Sequence, residues 1–157
     1  MPRMKPVYVH VGIVGAGAMG RGIAQIAAQA GSTVKLFDTQ PSAAVRARDA
    51  INAQWDRLRD KGRMDAAQVE AQKARLLIED SMGSLSDCNL VIEAVVERLD
   101  VKKTLFAELE GVVGAATVLA TNTSSLSVTA IAAGLKRPRQ FAGYHFFNPV
   151  PLMKVVE

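Results

Sequence analysis

Val7-Tyr8-Val9-His10-Val11-Gly12-Ile13-Val14-Gly15-Ala16-Gly17-Ala18-Met19-Gly20 is the stretch that decides the fold. Val7 to Val14 is a nearly continuous apolar, β-branched run. Such a run suits a parallel strand buried on both faces. After the glycines the period changes. Met19, Ile23, Ile26 and Ala30 recur at steps of four, three and four, the spacing of one helical face. Gly31 stops that helix. A strand, a glycine turn and a helix therefore stand in immediate succession.

The same alternation continues outward. Thr33 to Phe37 reads as a second strand with Asp38 at its end. A long helix starts at Pro41, with Ala44, Ala47, Ile51, Trp55 and Leu58 as its buried stripe. Asp65 to Ala74 reads as a short helix behind Gly62. Leu76 to Ile78 and Leu90 to Val96 read as strands three and four. Val101, Leu105 and Leu109 place the next helix. Thr117 to Thr121 is a fifth strand, and Val128 to Ala133 a short helix opened by Ser127 as its cap. Phe141 to His145 and Leu152 to Val156 complete the set as strands six and seven. Strands alternating with helices predict a single α/β domain over residues 1–157, doubly wound on a mostly parallel sheet of the Rossmann type.

Composition excludes other classes. The 157 residues are 49% hydrophobic and 22% charged, which fits a globule with one core and not a disordered chain. The net charge is +4, without a basic run, and aromatics make up 5%. Nucleic-acid binding, which calls for a clustered basic face or stacking aromatics, is not expected. No apolar stretch is long enough to span a membrane. Met1 to Pro6 leads into a strand, not into a signal-peptide core. The single cysteine, Cys88, can form neither an internal disulfide nor a zinc site alone, so no metal and a cytoplasmic setting are expected.

Gly15-Ala16-Gly17-Ala18-Met19-Gly20 matches G-x-G-x-x-G in the context that motif requires. Gly15 permits the tight turn, Gly17 lets a pyrophosphate approach the backbone, and Gly20 lets helix and strand pack closely. Free N–H groups at the helix start then hold the anion. Asp38, at the end of the second strand, suits the ribose hydroxyls and repels a 2′-phosphate, which favours NAD over NADP.

Two later loops face the same crevice. Thr121-Asn122-Thr123-Ser124-Ser125 reads either as a plain turn or as a binding loop. His145-Phe146-Phe147-Asn148-Pro149 follows strand six, where a strand end favours function over a core role for His145. Glu157 stands where it can hold one imidazole nitrogen. His10, early in the first strand, reads as a satisfied structural residue.

Together with Ile92-Glu-Ala-Val-Val-Glu97, Asn122-Thr-Ser-Ser-Leu126, His145-Phe-Phe-Asn-Pro-Val-Pro151 and Met153-Lys-Val-Val-Glu157, the glycine motif gives the chain a marked resemblance. From about Val9 to Glu157 it resembles the NAD-binding domain of the L-3-hydroxyacyl-CoA dehydrogenases, the bacterial 3-hydroxybutyryl-CoA enzymes included. The resemblance implies NAD-dependent, reversible oxidation of L-3-hydroxyacyl-CoA to the 3-oxo compound, a step of fatty-acid β-oxidation among other pathways. It implies that His145 is the general base, that Glu157 orients it, and that Ser124 and Asn122 shape the pocket around the reacting oxygen. Ser124, Glu97, Lys102 and Asn148 match positions that contact the cofactor. Lys61 matches a position that contacts coenzyme A, although a solvent-facing lysine on a polar helix is also ordinary.

In the resembling family a helical domain follows, which makes a homodimer and closes over the acyl chain. This chain, as the cofactor-binding half, is then expected to bind NAD but to turn over acyl-CoA poorly by itself. Two other readings stay open. One is a dehydrogenase of a free hydroxy or sugar acid, similar to the L-gulonate 3-dehydrogenases. The other is a module that binds NAD without chemistry.

Overall fold

The computed structural model describes residues 5–157. Of the leading segment Met1 to Pro6, the first four residues lie outside the described ones. Among the described residues six strands form one sheet: β1 His10–Val14, β2 Thr33–Phe37, β3 Leu76–Ile78, β4 Leu90–Glu93, β5 Val118–Thr121 and β6 Phe141–Gly143. Their order is β3-β2-β1-β4-β5-β6, and every pairing is parallel. This is the doubly wound Rossmann order, whose reversal between β1 and β4 opens a crevice beyond the carboxyl ends of those strands. The α-helices that connect these strands are α1 Ala18–Gln29, α2 Pro41–Asp60, α3 Ala66–Arg75, α4 Leu99–Val112 and α5 Val128–Ala132. None among the described residues is long and apolar enough to cross a membrane.

Alternate residues of each central strand feed two cores. Val11, Ile13, Val34, Leu36 and Ile92 pack with α1, α2 and α3 around the fully buried Trp55. Val14, Val91 and Leu119 pack on the other side with Phe106, Leu109 and Ile131 of α4 and α5. Period-two alternation with both faces covered is why these strands read as unbroken apolar runs. Burial among the second group pushes the Cys88 thiol up to about 12, so it stays protonated.

Several expectations change at the edges. Val7 and Val9 are exposed, and β1 begins only at His10. The predicted seventh strand, Leu152 to Val156, does not form. Pro149 and Pro151 cannot donate to a ladder. The Leu152 and Met153 N–H groups turn back to the Pro149 carbonyl, and one antiparallel bridge, Phe146 to Val156, is all that pairs. The fourth strand stops at Glu93 instead of Val96, because the Glu93 carboxylate accepts the Val95 N–H at 2.7 Å and bends the chain. In α4 the buried face is Lys102, Phe106, Leu109 and Glu110, about one residue round from the predicted stripe. In α1 it is Gly20, Ile23, Ala24 and Ala28. His10, read as satisfied, has a buried Nδ1 without a hydrogen-bond partner among the described residues.

Candidate active site

The loop between β1 and α1 is held from three sides. Gly15 has φ +104°, and a Cβ there would come within 2.5 Å of the Ala94 carbonyl oxygen. A Cβ on Gly20 would stand 1.7 Å from the Gly15 oxygen, so helix and loop touch backbone to backbone. Asp38 clamps the loop from the end of β2. Its Oδ2 accepts the Ala16 N–H and its Oδ1 the Gln40 N–H, each at 2.8 Å. A carboxylate oxygen has a second acceptor direction, so Asp38 can still take hydroxyl hydrogens from the open side.

Gly17 differs from its neighbours. A Cβ there would meet no atom within 4 Å, and its backbone is extended, so the protein itself does not require glycine. Gly17 is also the cap residue of α1, with no side-chain cap and no acid in the first turn. The start of α1 thus stands uncapped at the wall of a cleft of about 710 Å³. That cleft is lined by Gly15 to Ala18, Asp38 to Gln40, Arg46 and the Ala94–Val96 segment. An uncapped helix start, open space over one glycine and an acid beyond it fit a dinucleotide. Sequence reading missed Arg21 and Arg46, which add positive charge to this cleft. The juxtaposition of Arg21 with the glycine loop was the signal available.

Gly17→Ser is expected to separate folding from binding. Serine is a good helix cap, so thermal stability should hold or rise slightly. Its hydroxyl would take a first-turn N–H and fill the space over the loop. NAD affinity, measured by calorimetric titration, should fall on the order of tenfold or more, since an anion held by helix N–H groups loses a donor there. Unchanged affinity would contradict the cradle.

A second cleft, of about 300 Å³, adjoins the first across Ala94 and Val95. It brings together Met19, Glu97, Lys102, Asn122, Ser124, His145, Phe147 and Asn148. The candidates that follow strands four to six, Glu157 excepted, therefore line one space. Asn122 takes its place because its N–H donates to the Glu93 carbonyl and its Oδ1 accepts the Phe146 N–H, both at 2.9 Å. His145 and Glu157 exchange two backbone hydrogen bonds, at 2.8 and 2.9 Å, which place their side chains together. His145 Nδ1 lies 3.4 Å from Glu157 Oε2, and the ring packs on Phe147 with centroids 4.5 Å apart. Val150, buried over Gly22 of α1, anchors the segment that carries Asn148.

Lys102 and Glu97 are less simple than the resemblance implied. Lys102 is fully buried, with Nζ 2.5 Å from Glu93 Oε2 and 3.0 Å from Glu97 Oε1. Partial burial opposes ionisation of Glu97. Hydrogen bonds from Thr123 and Lys102, the Lys102 charge and the Ser125 hydroxyl outweigh it and hold the carboxyl below its ordinary range. Glu93 went unnoticed as a site residue, although an acid inside an apolar strand is itself a signal.

Lys61 lines neither cleft. It caps the end of α2 and is exposed. A third hollow, of about 300 Å³, runs between Arg21 and Gln25 of α1, Gln54 and Arg57 of α2, and the Asn148–Leu152 segment. Lys61 follows Arg57 by one helical turn, just past that hollow.

Comparisons with known proteins agree with this geometry. The family described as "3-hydroxyacyl-CoA dehydrogenase, NAD binding domain" matches residues 10–157. The chain is 47% identical over 147 residues to a 3-hydroxyadipyl-CoA dehydrogenase of Escherichia coli, covering 94% of this chain and 31% of that protein. It is 42% identical over 146 residues to a probable 3-hydroxybutyryl-CoA dehydrogenase of Deinococcus radiodurans, covering 93% of this chain and 52% of that one. The crystal structure of a 3-hydroxybutyryl-CoA dehydrogenase from E. coli K12 superposes with a TM-score of 0.94 at 45% identity, covering 96% of this chain and 32% of that chain. The chain thus spans about half, or less, of these relatives' lengths. With a parallel sheet in Rossmann order, a glycine cradle and a strand-end histidine all within the matched span, the chain belongs to the NAD-binding domain family of the 3-hydroxyacyl-CoA dehydrogenases.

Proposed function

We propose that this chain is the cofactor-binding half of an NAD-dependent dehydrogenase that interconverts L-3-hydroxyacyl-CoA and 3-oxoacyl-CoA. The observation that carries the proposal is the continuity of the dinucleotide cleft with a second cleft holding His145, Ser124 and Asn122. In this reading Gly15, Ala16, Gly17, Ala18, Met19 and Gly20 hold the pyrophosphate, and Asp38 the adenosine ribose. Glu97, Lys102, Ser124 and Asn148 flank the nicotinamide end. NAD, when bound, supplies the hydride chemistry. His145 removes the proton from the substrate's 3-hydroxyl, and returns it in the reverse direction. The proximity of Glu157 to Nδ1 favours the tautomer with hydrogen there, which makes Nε2 the proton acceptor. Ser124 hydrogen-bonds the reacting oxygen, and Asn122 sets the wall beside it.

The third hollow, lined by Arg21 and Arg57 with Lys61 just past its end, suits the phosphates of a coenzyme A ester. The further length of the relatives supplies, in this reading, the helical domain that closes over the acyl chain and forms a homodimer. A cytoplasmic setting and a place in fatty-acid oxidation belong to the same proposal. They rest on the lone, buried Cys88 and on the acyl-CoA substrates in the relatives' names.

The test is consumption of NADH by the complete protein with acetoacetyl-CoA, free acetoacetate and a 3-oxo sugar acid in parallel. Steady consumption with the thioester alone is expected. Turnover of a free acid but not the thioester would replace this reading with a hydroxy-acid dehydrogenase. Silence with all three, alongside tight NAD binding, would reduce the chain to a binding module.

A further inference from the structure

The Glu93–Lys102–Glu97 cluster is not required by the proton transfer, yet it lies against the cleft where that transfer is placed. Glu93 is wholly buried at the carboxyl end of β4. Its carboxylate accepts three hydrogen bonds: from Val95 N–H at 2.7 Å, Thr121 Oγ1 at 2.6 Å and Lys102 Nζ at 2.5 Å. Lys102 Nζ reaches on to Glu97, whose Oε2 accepts Thr123 Oγ1 at 2.7 Å and Ser125 Oγ at 3.1 Å. The cluster thus ties the loop after β4 to the loop after β5. It holds two carboxylates and one ammonium, a net charge of one negative unit. Two of the three groups, Glu97 and Lys102, line the second cleft.

A fixed charge there acts differently on the two forms of the cofactor. The oxidised nicotinamide ring carries a positive charge and the reduced ring none. Resting on the reading that the ring occupies the second cleft, we propose that this cluster biases the site toward oxidised nicotinamide, with Glu93 as the positioning residue that anchors Lys102 and sets the charge balance. A unit charge several ångströms away, in the effective dielectric of a protein site, shifts a binding ratio on the order of tenfold or more. Tenfold is a lowering of about 30 mV in the potential of the bound two-electron couple.

The proposal is tested by calorimetric titration of the full chain with NAD+, NADH and ADP-ribose. Glu93→Gln keeps the shape of the side chain but leaves the cluster neutral. The ratio of Kd for NAD+ to Kd for NADH should rise on the order of tenfold, while the affinity for ADP-ribose, which lacks the ring, stays nearly constant. Glu97→Gln, at a half-exposed position that does not threaten folding, should raise the ratio in the same direction. The double variant Glu93→Gln/Lys102→Gln restores the net negative charge and should bring the ratio back toward wild type. A purely structural role for Glu93 would not produce that reversal. A ratio unmoved in both single variants, with ADP-ribose still bound, overturns the proposal and leaves the dinucleotide reading standing. If the wild-type chain binds neither NAD+ nor ADP-ribose, the dinucleotide reading fails and the proposal with it.

Discussion

In the complete protein, His145→Gln is expected to lower kcat by about 10²- to 10⁴-fold, the contribution typical of a positioned general base. Glutamine keeps a polar group of similar reach but cannot take a proton near neutral pH. The Kd for NADH should change by less than about threefold, because in the proposed reading the glycine loop and Asp38, which line the larger cleft, carry most of the dinucleotide contact. The separation matters: a fall in both would point to a damaged fold instead of a missing base. Stopped-flow measurement of NADH loss, paired with a binding titration, reads the two quantities independently. A variant that turns over at the wild-type rate would remove His145 from the chemistry.

Gly20→Ala should have the largest effect on folding. The added carbon would meet the Gly15 carbonyl oxygen at 1.7 Å, and both groups belong to backbone. No flexible side chain can swing aside, so α1 must lift from β1. The cost should reach about 3 kcal/mol or more, at the upper end for overpacking. For a domain of this size that is a fall in melting temperature of about 10 °C. Dinucleotide binding should fail in parallel, because Gly15 and the first turn of α1 move together. The contrast with Gly17→Ser is the point. Two glycines of one motif are required for opposite reasons, one by the protein's own packing and the other by the space over it.

The sheet was readable because parallel strands covered on both faces carry unbroken apolar runs, as Val11 to Val14 and Leu90 to Ile92 do. The glycine loop and Asp38 were readable because strand, turn and helix fix their spacing. The helix faces were read less well. In α4, Lys102 and Glu110 turn inward, and periodicity counts charged residues as outward. Lys102 is tolerated inside only because Glu93, from another element, meets it, and a pattern search along one helix does not see that partner. The strand ends escaped for a related reason. Glu93 ends β4 by accepting the Val95 N–H through its side chain, a local bond that apolar patterning cannot register. The segment after Pro151 looked like a strand because Leu152, Met153, Val155 and Val156 are apolar, but the two prolines ahead of it deny it a ladder. The pairing of Glu157 with His145 was expected from its place in the sequence, but two backbone hydrogen bonds between the two residues, and not a seventh strand, bring them together.

The central claim is that the second cleft is where the 3-oxygen of an acyl-CoA meets His145. A crystal structure of the complete protein with NAD+ and acetoacetyl-CoA tests it most directly. The 3-oxygen should lie within hydrogen-bond reach, about 3 Å, of both His145 Nε2 and Ser124 Oγ, with the pyrophosphate on the Gly15–Gly20 loop. A thioester bound elsewhere, or a 3-oxygen held by groups other than His145, would contradict it.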